Sequence, residues 1–111
     1  MIARREWEQP VSLIGHPHLV SDGGPLEQIL ARHPVILPTE ESGVRTSVTA
    51  LVDRLGIRLQ IAAEVDDVAM MRLLVREGFA LAVLPPIAVR DELASGILVL
   101  VEPVWTRPPP A

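Results

Sequence analysis

A chain of 111 residues that is 49% hydrophobic and 22% charged has the length of one domain and too much apolar content for a disordered segment. Its net charge is −4, and its ten basic residues are all arginines scattered along the chain, so it lacks the clustered positive charge that binding to nucleic acid requires. With no cysteine it makes no disulfide and does no thiol chemistry, and no apolar run approaches the length of a membrane span.

Residues 1–9 are a polar lead-in without the apolar centre of a signal peptide, which points to a cytoplasmic protein. The folded unit is expected over residues 10–102. Val11–Gly15 reads as a strand stopped by Gly15 and Pro17. After the His16-Pro17-His18 loop, Pro25 suits the first turn of a helix whose apolar face is Leu26, Ile29 and Leu30. Pro34 ends that helix at or before His33.

Val35, Ile36 and Leu37 are too short a run for a helix and read as a buried strand closed by Pro38. Thr39, Glu40, Glu41, Ser42 and Gly43 have the chemistry of a turn. Val44, Val48, Leu51, Val52 and Leu55 then recur at helical spacing, with Ser42 expected as the N-cap and Gly56 at the exit.

Leu59–Val65 alternates apolar and polar residues and reads as a further strand. Asp66 and Asp67 are placed to cap a helix that runs to about Glu77, with Val68, Met71, Leu74 and Val75 on its core face. Phe79–Leu84 is a continuous apolar run, expected as a strand covered on both faces. Pro85-Pro86 opens a short helix through Ala94, and Ile97–Val101 is the last strand. Residues 103–111, with four prolines, read as a flexible tail. Strands alternating with helices at this spacing imply a three-layer α/β unit, a mostly parallel sheet of about five strands flanked by helices.

Five stretches together resemble a known family. They are Leu37-Pro-Thr-Glu-Glu-Ser-Gly-Val-Arg45, Gly56-Ile57, Ala63-Glu-Val-Asp-Asp-Val-Ala-Met70, Arg76-Glu-Gly-Phe-Ala-Leu-Ala-Val-Leu-Pro-Pro86 and Asp91-Glu-Leu-Ala-Ser-Gly-Ile-Leu98. In order and spacing they resemble the effector-binding domain of LysR-type transcriptional regulators, in the branch related to the sodium/proton antiporter regulator. The resemblance runs from about Glu8 to Glu102 and covers the second of the family's two subdomains, a periplasmic-binding-protein type II-like unit. It implies a small-molecule or ion effector bound by the intact protein, control of transcription, no cofactor, and no enzymatic activity. The family's helix-turn-helix and first subdomain have no counterpart in these residues, so no DNA binding is expected of this chain.

Ligands of α/β sheets gather outside the carboxyl ends of the strands, against helix N-termini. With the resemblance, that rule gives Pro38, Thr39, Glu40, Ser42, Gly43, Asp66 and Pro85 as the candidate ligand-binding set. The plainer reading of Thr39–Ser42 is a solvated turn with a helix cap. Hydroxyls and free N–H groups there suit a carboxylate, whereas Glu40 and Glu41 suit a cation, so the effector's charge stays open.

Asp66 and Asp67 have a catalytic or metal-binding reading and a capping one. On the first of these, the chain is a small solute-binding protein or hydrolase-like enzyme using the Thr39–Ser42 turn with Asp66 and Asp67. His16, His18 and His33 lack regular metal-ligand spacing. The resemblance also implies that this subdomain packs against a partner chain. Ala69, Met70 and Leu73, on the second apolar side of their helix, are the candidate contact of a homodimer.

Overall fold

The structure, a computed structural model, describes residues 11–21, 23–40 and 43–105, the last four of them as backbone only. Its strands are β1 (Val11–Gly15), β2 (Val35–Pro38), β3 (Ile61–Val65), β4 (Leu81–Leu84) and β5 (Val99–Trp105). Its helices are α1 (Leu26–Arg32), α2 (Gly43–Leu55), α3 (Val68–Val75) and α4 (Arg90–Ser95), with 3-10 turns at Pro17–Leu19 and Pro86–Val89.

The five strands form one sheet in the order β3-β2-β4-β1-β5. β2 pairs in parallel with β3 and β4, whereas β1 lies antiparallel to both β4 and β5. Four strands therefore share one direction and β1 runs against them. Every residue of β1 and of β4 is buried, as expected for central strands covered on both faces.

Alternation of side chains divides the core in two. Val11 and Leu13 of β1, Val35 and Leu37 of β2, and Leu81 and Val83 of β4 face one side, where Ile29 and Leu30 of α1 and Val48 of α2 meet them. Ile14, Ile36, Ala82 and Leu84 face the other side, against Met71 and Val75 of α3, with Val89 and Leu98. Helices thus cover both faces, and the unit is the three-layer α/β arrangement that the alternation of elements implies. Each fully buried Leu, Ile or Val contributes about 1.5–3 kcal/mol relative to its exposed state.

Several boundaries differ from the sequence reading. β5 runs through Pro103 to Trp105, so residues 103–105 belong to the sheet and not to a tail. Proline is compatible with this strand because β5 is an edge, paired with β1 alone. The register shifts here, from Val11 opposite Trp105 to Leu13 opposite Glu102, as at a bulge.

β4 begins at Leu81, and Phe79 stands 50% exposed, because Gly78 at φ +87° turns the chain between α3 and β4. Val68 is 44% exposed instead of core, since a first-turn residue has helix packed beside it on one side only. β3 is the other edge strand. There Ala63 and Val65 are half-buried while Ile61 is 46% exposed.

Candidate functional site

β2, β3 and β4 are adjacent and parallel, so their carboxyl ends fall on one edge of the sheet. β2 ends at Pro38, whose Cα pairs with Val65 at the end of β3, and β4 ends at Leu84. Asp66 and Pro85, each next in the chain, are thereby brought to the same edge as Pro38. Thr39 and Glu40 follow Pro38 and Gly43 opens α2; Thr39, Gly43 and Pro85 are half-buried, and Glu40 and Asp66 are exposed. The expected cap Ser42, like Glu41, lies outside the described residues. Because β1 runs against the other strands, Val11 and Trp105 meet at this edge too, so the described chain enters and leaves the sheet beside the site.

One residue that organises this edge was not singled out in the sequence. Arg45, in the first turn of α2, donates from Nη1 to the Pro38 carbonyl at 3.1 Å. Its Nη2 lies 2.9 Å from Glu64 Oε2 on β3, and the Arg45 side chain is 13% exposed. No local pattern announces this pairing, because Glu64 belongs to a different element and alternates with core residues as any solvent-facing strand position does. The edge therefore has a part-buried cation in Arg45, and a carboxylate already occupies it.

Asp67 is the N-cap of α3, accepting from the Ala69 N–H at 3.0 Å. Its Oδ1 is committed to the helix cap. Ala69, Met70 and Leu73 lie on the side of α3 turned away from buried Met71 and Val75, and all three are exposed, Leu73 most of all at 57%.

His16 and His18 make contacts near the end of α3. His16 Nε2 is 2.8 Å from the Arg76 carbonyl beyond the end of α3, and since a carbonyl only accepts, Nε2 carries the proton. The His16 and His18 rings sit 5.4 Å apart at 59°. Both rings lie against Gly78, where a Cβ would meet His16 Cδ2 and His18 Cε1 at 3.4 Å. Among the described residues no group of three His, Cys, Asp or Glu is placed to hold a metal ion.

A second charged cluster joins the helices of the other layer. Glu92 of α4 is 3% exposed, and its Oε2 lies 2.7 Å from Arg72 Nε and 3.4 Å from Arg76 Nη1. The Arg72 hydrogen bond holds the Glu92 carboxyl below the usual carboxylate range against the opposing effect of burial, with the charges of Arg72 and Arg76 assisting. Arg72 in turn is raised above its ordinary value, chiefly by the same hydrogen bond.

The model of the LysR substrate-binding domain matches residues 1–111. The chain belongs to that family. Comparison with curated proteins gives no match. Among solved structures, this LysR substrate-binding domain resembles the effector domain of the transcriptional regulator AmpR of Pseudomonas aeruginosa, at 16% identity and TM-score 0.67, over 86% of this chain and 45% of that one. It also resembles the CcmR regulatory domain of Synechocystis PCC6803 in complex with 2-PG, at 20% identity and TM-score 0.70, over 84% of this chain and 46% of that one. The effector-binding domain of QuiR in complex with shikimate matches at 19% identity and TM-score 0.66, over 96% of this chain and 48% of that one.

The LysR chain thus spans about half the length of these structures. At these identities the likeness is one of fold, and it agrees with the five-stranded α/β unit. Family and fold point to a regulatory effector-binding domain and not to a catalytic one. Among the described residues no helix is long and apolar enough to cross a membrane.

Proposed function

We propose that this chain supplies one wall of the effector site in a cytoplasmic LysR-type regulator, which senses a small molecule or ion and controls transcription. The observation that carries the reading is the convergence of Pro38, Asp66 and Pro85 at the carboxyl ends of three adjacent parallel strands, with α2 opening beside them. Pro38, Thr39, Glu40, Gly43, Asp66 and Pro85 form that wall, and Ser42 of the expected set lies outside the described residues. Family relatives in complex with 2-PG and with shikimate support a small-molecule effector.

The unit expected at residues 10–102 extends by the three further residues of β5, and the lead-in expected at residues 1–9 lies outside the described residues. The five sequence stretches support the branch related to the sodium/proton antiporter regulator. The chain itself binds no DNA, having a net charge of −4 and no basic stripe. The exposed face of α3, Ala69, Met70 and Leu73, pairs with a second copy in the intact protein. The hydrolase-like alternative loses its second carboxylate to the α3 cap.

The test is a thermal-shift screen of this chain against small metabolites and monovalent and divalent ions. A compound that raises the midpoint of the parent is expected to lose its effect in Thr39→Ala and Asp66→Asn. A stabilising compound indifferent to both substitutions would place the site elsewhere.

A further inference from the structure

We infer that Arg45 is a positioning residue for the proposed effector edge: its guanidinium fixes where α2 begins relative to the carboxyl ends of β2 and β3, without itself binding the effector. The inference rests on the reading of that edge as the effector's. Three observations carry it.

The first is geometric. Two different nitrogens of one planar guanidinium are in use, Nη1 on the Pro38 carbonyl at 3.1 Å and Nη2 on Glu64 Oε2 at 2.9 Å. One side chain on α2 therefore holds the last residue of β2 and the penultimate residue of β3 at once. A lysine ammonium, a point charge on a flexible stem, has no fork with which to span two acceptors in fixed directions.

The second is electrostatic. Arg45 is the third residue of a helix with no acidic residue in its first turn. A cation there opposes the helix dipole, whose positive end is the N-terminus. The charge is tolerated because Glu64 brings a carboxylate to it from the neighbouring strand. A residue that breaks a local rule and is compensated from another element belongs to the site's architecture and not to the helix's own stability.

The third is exposure. The Arg45 side chain is 13% exposed and its charge is matched, whereas Glu64 remains 43% exposed. Arg45 is consequently no free anchor for an anionic effector. What it gives the site is a fixed distance between the end of β2 and the start of α2, across which Thr39, Glu40 and Gly43 are presented.

The test needs no ligand, so it stands apart from the search for the effector. Amide hydrogen exchange is followed by NMR on the full chain. In Arg45→Met, the amides of Ser47 and Val48 in α2 and of Glu64 and Val65 in β3 are expected to exchange about tenfold faster, while those of Leu81–Leu84 keep their parental rates. Arg45→Lys is expected to stay near Arg45→Met. The Arg45 side-chain N–H signals, resolved in the parent, are expected to broaden into solvent exchange in Glu64→Gln.

Uniform acceleration throughout the chain, no acceleration at all, or full rescue by lysine would each overturn the inference. Should Arg45→Met fail to fold, Glu64→Gln at a half-exposed position provides the same local comparison. If the exchange result holds while ligands bind at another surface, the effector reading fails and the anchoring stands.

Discussion

Glu92 is the buried charge on which the second helical layer closes. It carries a negative charge at 3% exposure, and a carboxylate so placed is tolerable only with partners, here Arg72 and Arg76. Glu92→Gln removes the charge and leaves two arginines that are 40% and 46% exposed and can regain water. Breaking a fully buried pair costs several kcal/mol, so with half-exposed partners a loss of about 2 kcal/mol is expected in denaturant melts at pH 7.

The pH dependence has a definite sign. The folded carboxyl titrates below its unfolded value. Its contribution is complete above that unfolded value and is lost as pH falls through the lower, folded one. The parent should therefore lose stability in acid more steeply than Glu92→Gln, and parallel acid limbs would contradict this. The sequence places Glu92 in a stretch of family resemblance but does not mark it as a buried charge. It stands between Asp91 and Leu93 in a short helix, and its partners Arg72 and Arg76 come from a different part of the chain. Arg45 and Glu64 were equally hidden, because each suits its own element locally and their pairing exists only once α2 and β3 are side by side.

At the scale of elements the hydrophobic pattern was an effective guide. Val48 and its half-buried neighbours Val44, Val52 and Leu55 form the inward stripe of α2, and the apolar run at Leu81–Leu84 is a strand buried on both faces. What the pattern does not encode is direction. β1 and β4 both read as strands, yet β1 enters the sheet reversed, between β4 and β5. Proline was also over-read: Pro103 suggested an end to pairing, whereas an edge strand accommodates it.

The cap on α3 was legible, since an aspartate before an apolar helical stripe has few other uses. Asp67→Ala should cost about 1 kcal/mol, measured as a lower denaturation midpoint. An unchanged midpoint would mean that the bond to the Ala69 N–H adds nothing net. The opposite face of α3 bears on assembly. Met70 at 46% and Leu73 at 57% exposure are large apolar side chains standing in solvent. If a second copy covers them, Leu73→Glu shifts sedimentation towards monomer while circular dichroism stays unchanged. A parent that is already monomeric at high concentration would contradict the pairing.

At the scale of the molecule, the topology explains why the proposed site lies at one edge. Parallel β2, β3 and β4 deliver three strand ends and the start of α2 to the same place, and antiparallel β1 brings the beginning and end of the described chain there as well. Matching structures are about twice as long as this chain. At the opposite edge His16 meets the Arg76 carbonyl and both histidine rings lie over Gly78.

The central claim is that the effector is bound at the carboxyl edge. It is tested most directly by mapping backbone amide shifts in NMR spectra of the chain during titration with a compound found by thermal-shift screening. The predicted result is a set of perturbed amides confined to Thr39, Glu40, Gly43, Asp66 and the residues flanking Pro85. Perturbations centred instead on His16, His18 and Gly78, or on Arg72, Arg76 and Glu92, would contradict it.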